Sequence, residues 1–136
     1  MGAAPQTFFE DLVLGNVLET PAITLTEAHA ALYRGLTQEP ADDLRLIPDL
    51  LPLCLSTGLG WRLPQAPLAV LAFMTIEWEM LRPARVGDTI HSISRVATKR
   101  SLRDGGIVIE ERDIRDQRGE IVQRGRFTFL VAKRPA

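Results

Sequence analysis

Apolar and polar positions alternate without a break across residues 74–80. Met74, Ile76, Trp78 and Met80 fall on one side, and Thr75, Glu77 and Glu79 on the other. A period of two marks a strand with one buried face. Arg82-Pro83-Ala84-Arg85 interrupts this strand, and Val86-Gly87-Asp88 turns the chain into a second one predicted over 89–100. Asp104-Gly105-Gly106 then leads to a strand at 107–115, and Asp116-Gln117-Arg118-Gly119 to another at 120–133, where Phe127, Phe129 and Val131 share a face. The second half is therefore predicted to be a meander.

The first half has a different rhythm. Residues 8–19 read as a strand or coil broken by the turn pair Gly15-Asn16. A helix is predicted to begin near Thr26, whose hydroxyl can accept from the first free N–H groups, with Glu27 in the positive first turn; Thr24 with Glu27 is the alternative capping pair. Ala28, Ala31, Leu32 and Gly35 form its expected inner stripe, with Gly35 as its end. Residues 37–48 are polar and bounded by proline, hence a loop. Residues 49–61 predict a second helix, with Asp49 as N-cap and Pro52 in the first turn, where its missing N–H is tolerated. Leu50, Leu51, Leu53, Leu55 and Leu59 leave that helix no polar face, so it is expected to be enclosed on all sides. Helices first and a meander afterwards, with nothing helical between the later strands, make the class α+β rather than α/β. The arrangement expected is an antiparallel sheet wrapped around a central apolar helix.

Composition narrows the function. At 136 residues and 46% hydrophobic, the chain fits one domain spanning 1–136. A single cysteine, Cys54, cannot form an internal disulfide, and the chain shows neither a membrane-length apolar run nor a signal-peptide pattern. A cytoplasmic location is expected. The net charge of −1 conceals an asymmetry: residues 1–81 hold three arginines against ten acids, and 82–136 hold thirteen basic residues against seven acids. Two readings follow, interleaved strands with solvated charges or a basic patch for an anionic ligand such as coenzyme A phosphates. The near-neutral total argues against nucleic acid. No ligand spacing for a metal, phosphate-binding glycine loop or serine nucleophile elbow is present, so no cofactor is expected.

The order Phe8-Phe9-Glu10-Asp11-Leu12 with Gly15, then Thr24-Leu25-Thr26-Glu27-Ala28, Leu36-Thr37, the short apolar helix, and Leu81-Arg82-Pro83 followed by Val86-Gly87-Asp88-Thr89, resembles the MaoC-like dehydratases and (R)-specific enoyl-CoA hydratases. The resemblance runs from about residue 8 to 132. It implies a hot-dog fold and an acyl thioester ligand, carried by coenzyme A or acyl carrier protein. Family members hydrate or dehydrate such thioesters with an aspartate and a histidine five residues later. Here Glu39 stands at the aspartate position and Leu44 at the histidine position. The start of the central helix, where the family's backbone N–H polarises the thioester carbonyl, reads Ile47-Pro48-Asp49-Leu50-Leu51-Pro52.

The candidate site residues are accordingly Glu39 as catalytic carboxylate, and Arg82, Arg85, Asp49 and Leu50 for substrate. Guanidinium forks suit phosphate oxygens, and Lys99, Arg100, Arg124 and Arg126 are weaker candidates of the same kind. Glu39, Asp42 and Asp43 also read as a plain solvated acidic turn, and His29 and His91 as structural or surface histidines. Three functions are consistent with these residues: an acyl-thioester-binding relative of the hydratases with altered or lost activity, a non-catalytic subunit that pairs with an active paralogue, and a hot-dog thioesterase. A homodimer, or a hetero-oligomer with such a paralogue, is expected, with no membrane partner.

Overall fold

The fold comes from a computed structural model that describes residues 4–136. A 3₁₀ turn, Phe9–Asp11, precedes the short strands β1 (Val17–Glu19) and β2 (Ile23–Thr24). Helices α1 (Glu27–Thr37) and α2 (Leu51–Gly60) follow, and then β3 (Val70–Met80), β4 (Thr89–Leu102), β5 (Gly105–Arg115) and β6 (Ile121–Val131). The strands form one antiparallel sheet in the order β1-β4-β5-β6-β3, with β2 also pairing β4. Hairpin-linked β4, β5 and β6 make its centre, as the meander predicts. The earlier strand β3 joins the free side of β6 and is itself the sheet's edge.

Helix α2 lies against the inner face of this sheet. Leu51 joins Leu25, Ala30, Ile47, Ile90 and Ile114 in one buried cluster. Phe9, Val108, Phe127, Phe129 and Val131 form a second. The N-terminal segment is strapped over the far end of the sheet: Thr7 bridges Leu68, and the Phe9 N–H donates to the Ala132 carbonyl at 2.9 Å. The Phe9 ring lies on Gly106, where an added Cβ would come within 2.2 Å of it. That close approach is the reason for glycine there.

Several expectations need correction. The cap of helix α1 is Thr26 as expected, its hydroxyl accepting from the His29 N–H at 3.3 Å while His29 Nδ1 accepts from the Thr26 N–H at 3.1 Å. Thr24 is a strand residue and not the cap. The helix passes through Gly35 and ends after Thr37, with Gln38 in the left-handed conformation at φ 62°. Its buried side carries Ala30 and half-buried Tyr33, so Ala28, Ala31, Leu32 and Gly35 face outward. The 3.6-residue pattern placed the stripe one step around the helix, because Tyr33 and Arg34 supply inner-face packing that their polar groups disguise.

Asp49 does not cap α2. Leu50 occupies the N-cap without a side-chain bond, and the Leu51 N–H donates to the Pro48 carbonyl. Nor is α2 enclosed on all sides within one chain: Leu50, Cys54, Thr57 and Gly58 form an open stripe. In β3 the alternation breaks at a bulge between Phe73 and Thr75, so Phe73 joins Ile76, Trp78 and Met80 in register with the inner-face residues Phe129, Phe127, Gly125 and Gln123. The Phe73 ring meets those of Phe127 and Phe129 edge-on. An unpaired residue in one strand shifts everything before it to the opposite face.

Candidate functional site

The loop between α1 and α2 is fastened at its far end and open at its near end. Ile47 and Val86 donate to the carbonyls of Ala84 and Arg45, and the Arg34 guanidinium donates to the Leu46 carbonyl at 3.1 Å. These bonds fix the loop against the Arg82–Arg85 turn, bringing two regions that are distant in sequence to the start of α2. Glu39 sits just past the α1 cap, exposed, with its N–H on the Thr37 hydroxyl at 3.2 Å. Leu44 is 72% exposed, and Leu32, Leu36 and Leu50 are exposed as well.

Tyr33 links the α1 loop to the central helix. Burial, followed by the nearby Glu39, Cys54 and Asp49, raises its phenol above the ordinary value. Asp49 also lines a cavity of ≈ 210 Å³ beside Pro48, Pro52, Met80, Arg82 and Gln123. Pro48 and Pro52 carry no N–H and that of Leu51 is already engaged, so the helix start offers this cavity few backbone donors. Gln123, only 3% exposed, also lines this cavity; it donates to the Asp49 carbonyl at 2.8 Å and accepts from Trp78 Nε1 at 2.9 Å. The sequence reading overlooked Gln123. Its signal was a lone amide on the strand face shared by Phe127, Phe129 and Val131, and a buried amide needs partners.

The basic candidates are distributed unequally. Arg82 is paired with Glu120, half-exposed at the cavity rim. Arg85 is exposed and has no acidic side-chain partner among the described residues, and its N–H donates to Asp88. Arg124 and Arg126 belong to the outer sheet face, where they meet Glu79 at 3.2 Å and Glu111 at 3.8 Å. There the register sets Arg95, Glu111, Arg126 and Glu77 in one row and Asp113, Arg124 and Glu79 in the next, alternating in sign. Much of the basic excess of the second half is thus cancelled within the sheet. Lys99 donates to the Leu12 carbonyl and lies over the Phe9 ring, holding the strap. His29 serves the α1 cap, and His91 meets Glu19 at 3.2 Å. Among the described residues no group of three or more His, Cys, Asp or Glu is placed to hold a metal ion, and no helix is long and apolar enough to cross a membrane.

No protein-family model and no curated protein sequence matches the chain. Solved structures do match. A monoamine oxidase regulatory protein from Archaeoglobus fulgidus superposes with a TM-score of 0.86 at 24% identity, over 96% of this chain and 97% of that one. A MaoC-like dehydratase from Rhodospirillum rubrum gives 0.78 at 22% identity, over 95% and 99%. A Mycobacterium tuberculosis protein described as a double hot-dog gives 0.75 at 20% identity, covering 96% of this chain and 45% of that one. The chain has a hot-dog fold. Helix α2 is the central helix of this hot-dog, and the loop with Glu39, the Arg82–Arg85 turn and the small cavity all gather at its N-terminal end.

Proposed function

We propose that this hot-dog protein binds acyl thioesters at the N-terminal end of α2 and, acting alone, hydrates their conjugated double bond slowly. The observation that carries this reading is the convergence of the Glu39-bearing loop and the Arg82–Arg85 turn on the helix start, where Asp49 and Arg82 line one cavity. The MaoC-like dehydratase of the same fold supports it. Exposed Leu32, Leu36, Leu44 and Leu50 offer apolar surface for an acyl group, and Arg82 and Arg85 offer cations for the nucleotide phosphates of a coenzyme A carrier.

Hydration needs one group to take a proton from water and one to deliver a proton to the α-carbon. Glu39 supplies a carboxylate for the first task. Leu44 cannot transfer a proton, and the proline-flanked helix start gives little help to a developing oxyanion, beside which Asp49 adds negative charge. Losing one proton-transfer group costs about 100- to 10,000-fold. Crotonyl-CoA hydration by the wild type, Glu39→Gln and Leu44→His is the test. A low rate that Glu39→Gln abolishes is expected; a rate typical of an intact Asp/His hydratase and indifferent to Glu39→Gln would overturn the assignment.

A second reading is a subunit role beside an active paralogue, favoured by the open stripe of α2 and the free edge of β3. In that case activity appears only when the partner is added. A thioesterase would instead release free thiol, with Glu39 or Asp49 activating water, so product analysis separates the three.

A further inference from the structure

A second cleft lies at the opposite end of the central helix, and its floor is polar where a hot-dog interior is normally apolar. Two adjoining cavities, of ≈ 410 Å³ and ≈ 230 Å³, share Leu18, Gln65, Ala66, Leu68, Ser94 and Glu110 as lining. The cleft runs from the N-terminal strap, past the 62–69 segment, to the C-terminal half of α2. Leu18, Leu68 and Val96 give it apolar walls. Glu110 and Arg112 occupy inner-face positions of β5, opposite Val96 and Ser94 of β4.

These two charges are rigidly held. Arg112 Nε and Nη2 both donate to Glu110 Oε1, at 2.8 and 2.6 Å, Nη1 donates to the Ser56 hydroxyl at 3.2 Å, and the guanidinium lies 4.1 Å from the centre of the Phe127 ring. Their side chains are only 12% and 20% exposed. An ion pair so far removed from water is often no more stabilising than apolar side chains of the same volume. Arg112 is fully engaged. Glu110 Oε2, however, has no hydrogen-bond partner among the described residues, and neither does the Ser94 hydroxyl nor the Gln65 amide.

From this arrangement we propose a second small-molecule site, distinct from the Glu39 end of the helix. Its ligand is an amphiphile with an apolar body and a hydrogen-bond-donating head, a hydroxyl or an ammonium group. The body lies along Leu18, Leu68 and Val96, and the head donates to Glu110 Oε2 within reach of Ser94 and Gln65. A carboxylate or phosphate head is rejected, because the oxygen it would meet is itself anionic. The site does not depend on the thioester reading, since no residue of the Glu39 loop takes part.

The experiment is a titration of the full chain with 1-hexanol, 1-hexylamine and hexanoate, followed by amide and indole proton–nitrogen correlation spectra. Hexanol and hexylamine should shift the resonances of Ser94, Glu110 and the Trp61 indole, which also lines the cleft. Hexanoate should bind at least about tenfold more weakly, the equivalent of ~1.4 kcal/mol. Glu110→Gln should remove the preference for hexylamine and hexanol over hexanoate. If that variant fails to fold, Ser94→Val combined with Gln65→Leu leaves the ion pair intact and should still weaken hexanol binding. Equal binding of all three probes, no binding of any, or shifts confined to Tyr33, Glu39 and Asp49 would overturn the proposal.

Discussion

Asp116 closes the β5–β6 hairpin from a nearly inaccessible position. Its Oδ1 accepts from the N–H groups of Arg118 and Glu120, at 2.9 and 3.1 Å, and Oδ2 from the Arg118 guanidinium at 3.1 Å. Burial alone would push this carboxyl up, but the hydrogen bonds and charge of Arg118 prevail and hold it below the ordinary value. A carboxylate with a depressed folded-state pKa adds stability above its unfolded pKa, about 3.9, and that contribution is lost as pH falls through the lower folded value. Urea unfolding followed from neutral pH down through about pH 4 should therefore show a decline that Asp116→Asn lessens. At neutral pH Asp116→Ala should cost about 1–3 kcal/mol, because the turn's donors lose their acceptor. Gly106→Ala places a methyl group against the Phe9 ring and should cost a similar ~1–3 kcal/mol through displacement of the strap, read as a lowered unfolding midpoint. In the turn beside the cavity, Arg85→Ala should weaken coenzyme A thioester binding more than Arg82→Ala, since Glu120 already neutralises Arg82. Calorimetry at two salt concentrations checks this, because exposed attraction is screened over about 8–10 Å at ordinary ionic strength.

At the level of elements, the strands were legible because their signals are local. Period-two alternation and the Gly- and Asp-rich turns placed β4, β5 and β6 within a few residues of their observed limits. The bulge near Met74 was not legible, since a bulge is set by the register with β6, and nothing in the local pattern records it. The buried side of α1 was misplaced for a related reason: Tyr33 and Arg34 bury carbon stems that a polar label conceals. For the site, the sequence supplied the residues but not their company. Glu39, Asp49 and Arg82 could be singled out by position, whereas Gln123 bridging Trp78 to the Asp49 carbonyl depends on contacts across 45 and 74 residues. The Glu110–Arg112 pair carries no signal of its burial, because a sequence does not say which face of a central strand lies under the helix.

For the whole molecule, the unpaired edge of β3 and the open stripe of α2 lie on a chain with much apolar surface uncovered, including Leu71, Phe73, Met74 and Ile76. Such an edge invites pairing, and we expect a two-fold dimer joined along β3, of the standard interface size of about 1,200–2,000 Å². Light scattering at micromolar concentration should show it, and Leu71→Lys with Met74→Lys should shift the species toward monomer; a wild type that remains monomeric would refute it. The strap carries a different consequence. Phe9 bonds Ala132, and the Arg134 N–H donates to the Glu10 carboxylate at 2.7 Å, so residues early and late in the chain end up side by side. The order of the strands in space does not depend on where the backbone is cut. A circular permutant opened at Arg103-Asp104, the exposed two-residue tip of the β4–β5 hairpin, and joined by a short linker between the old ends, should reach the same topology.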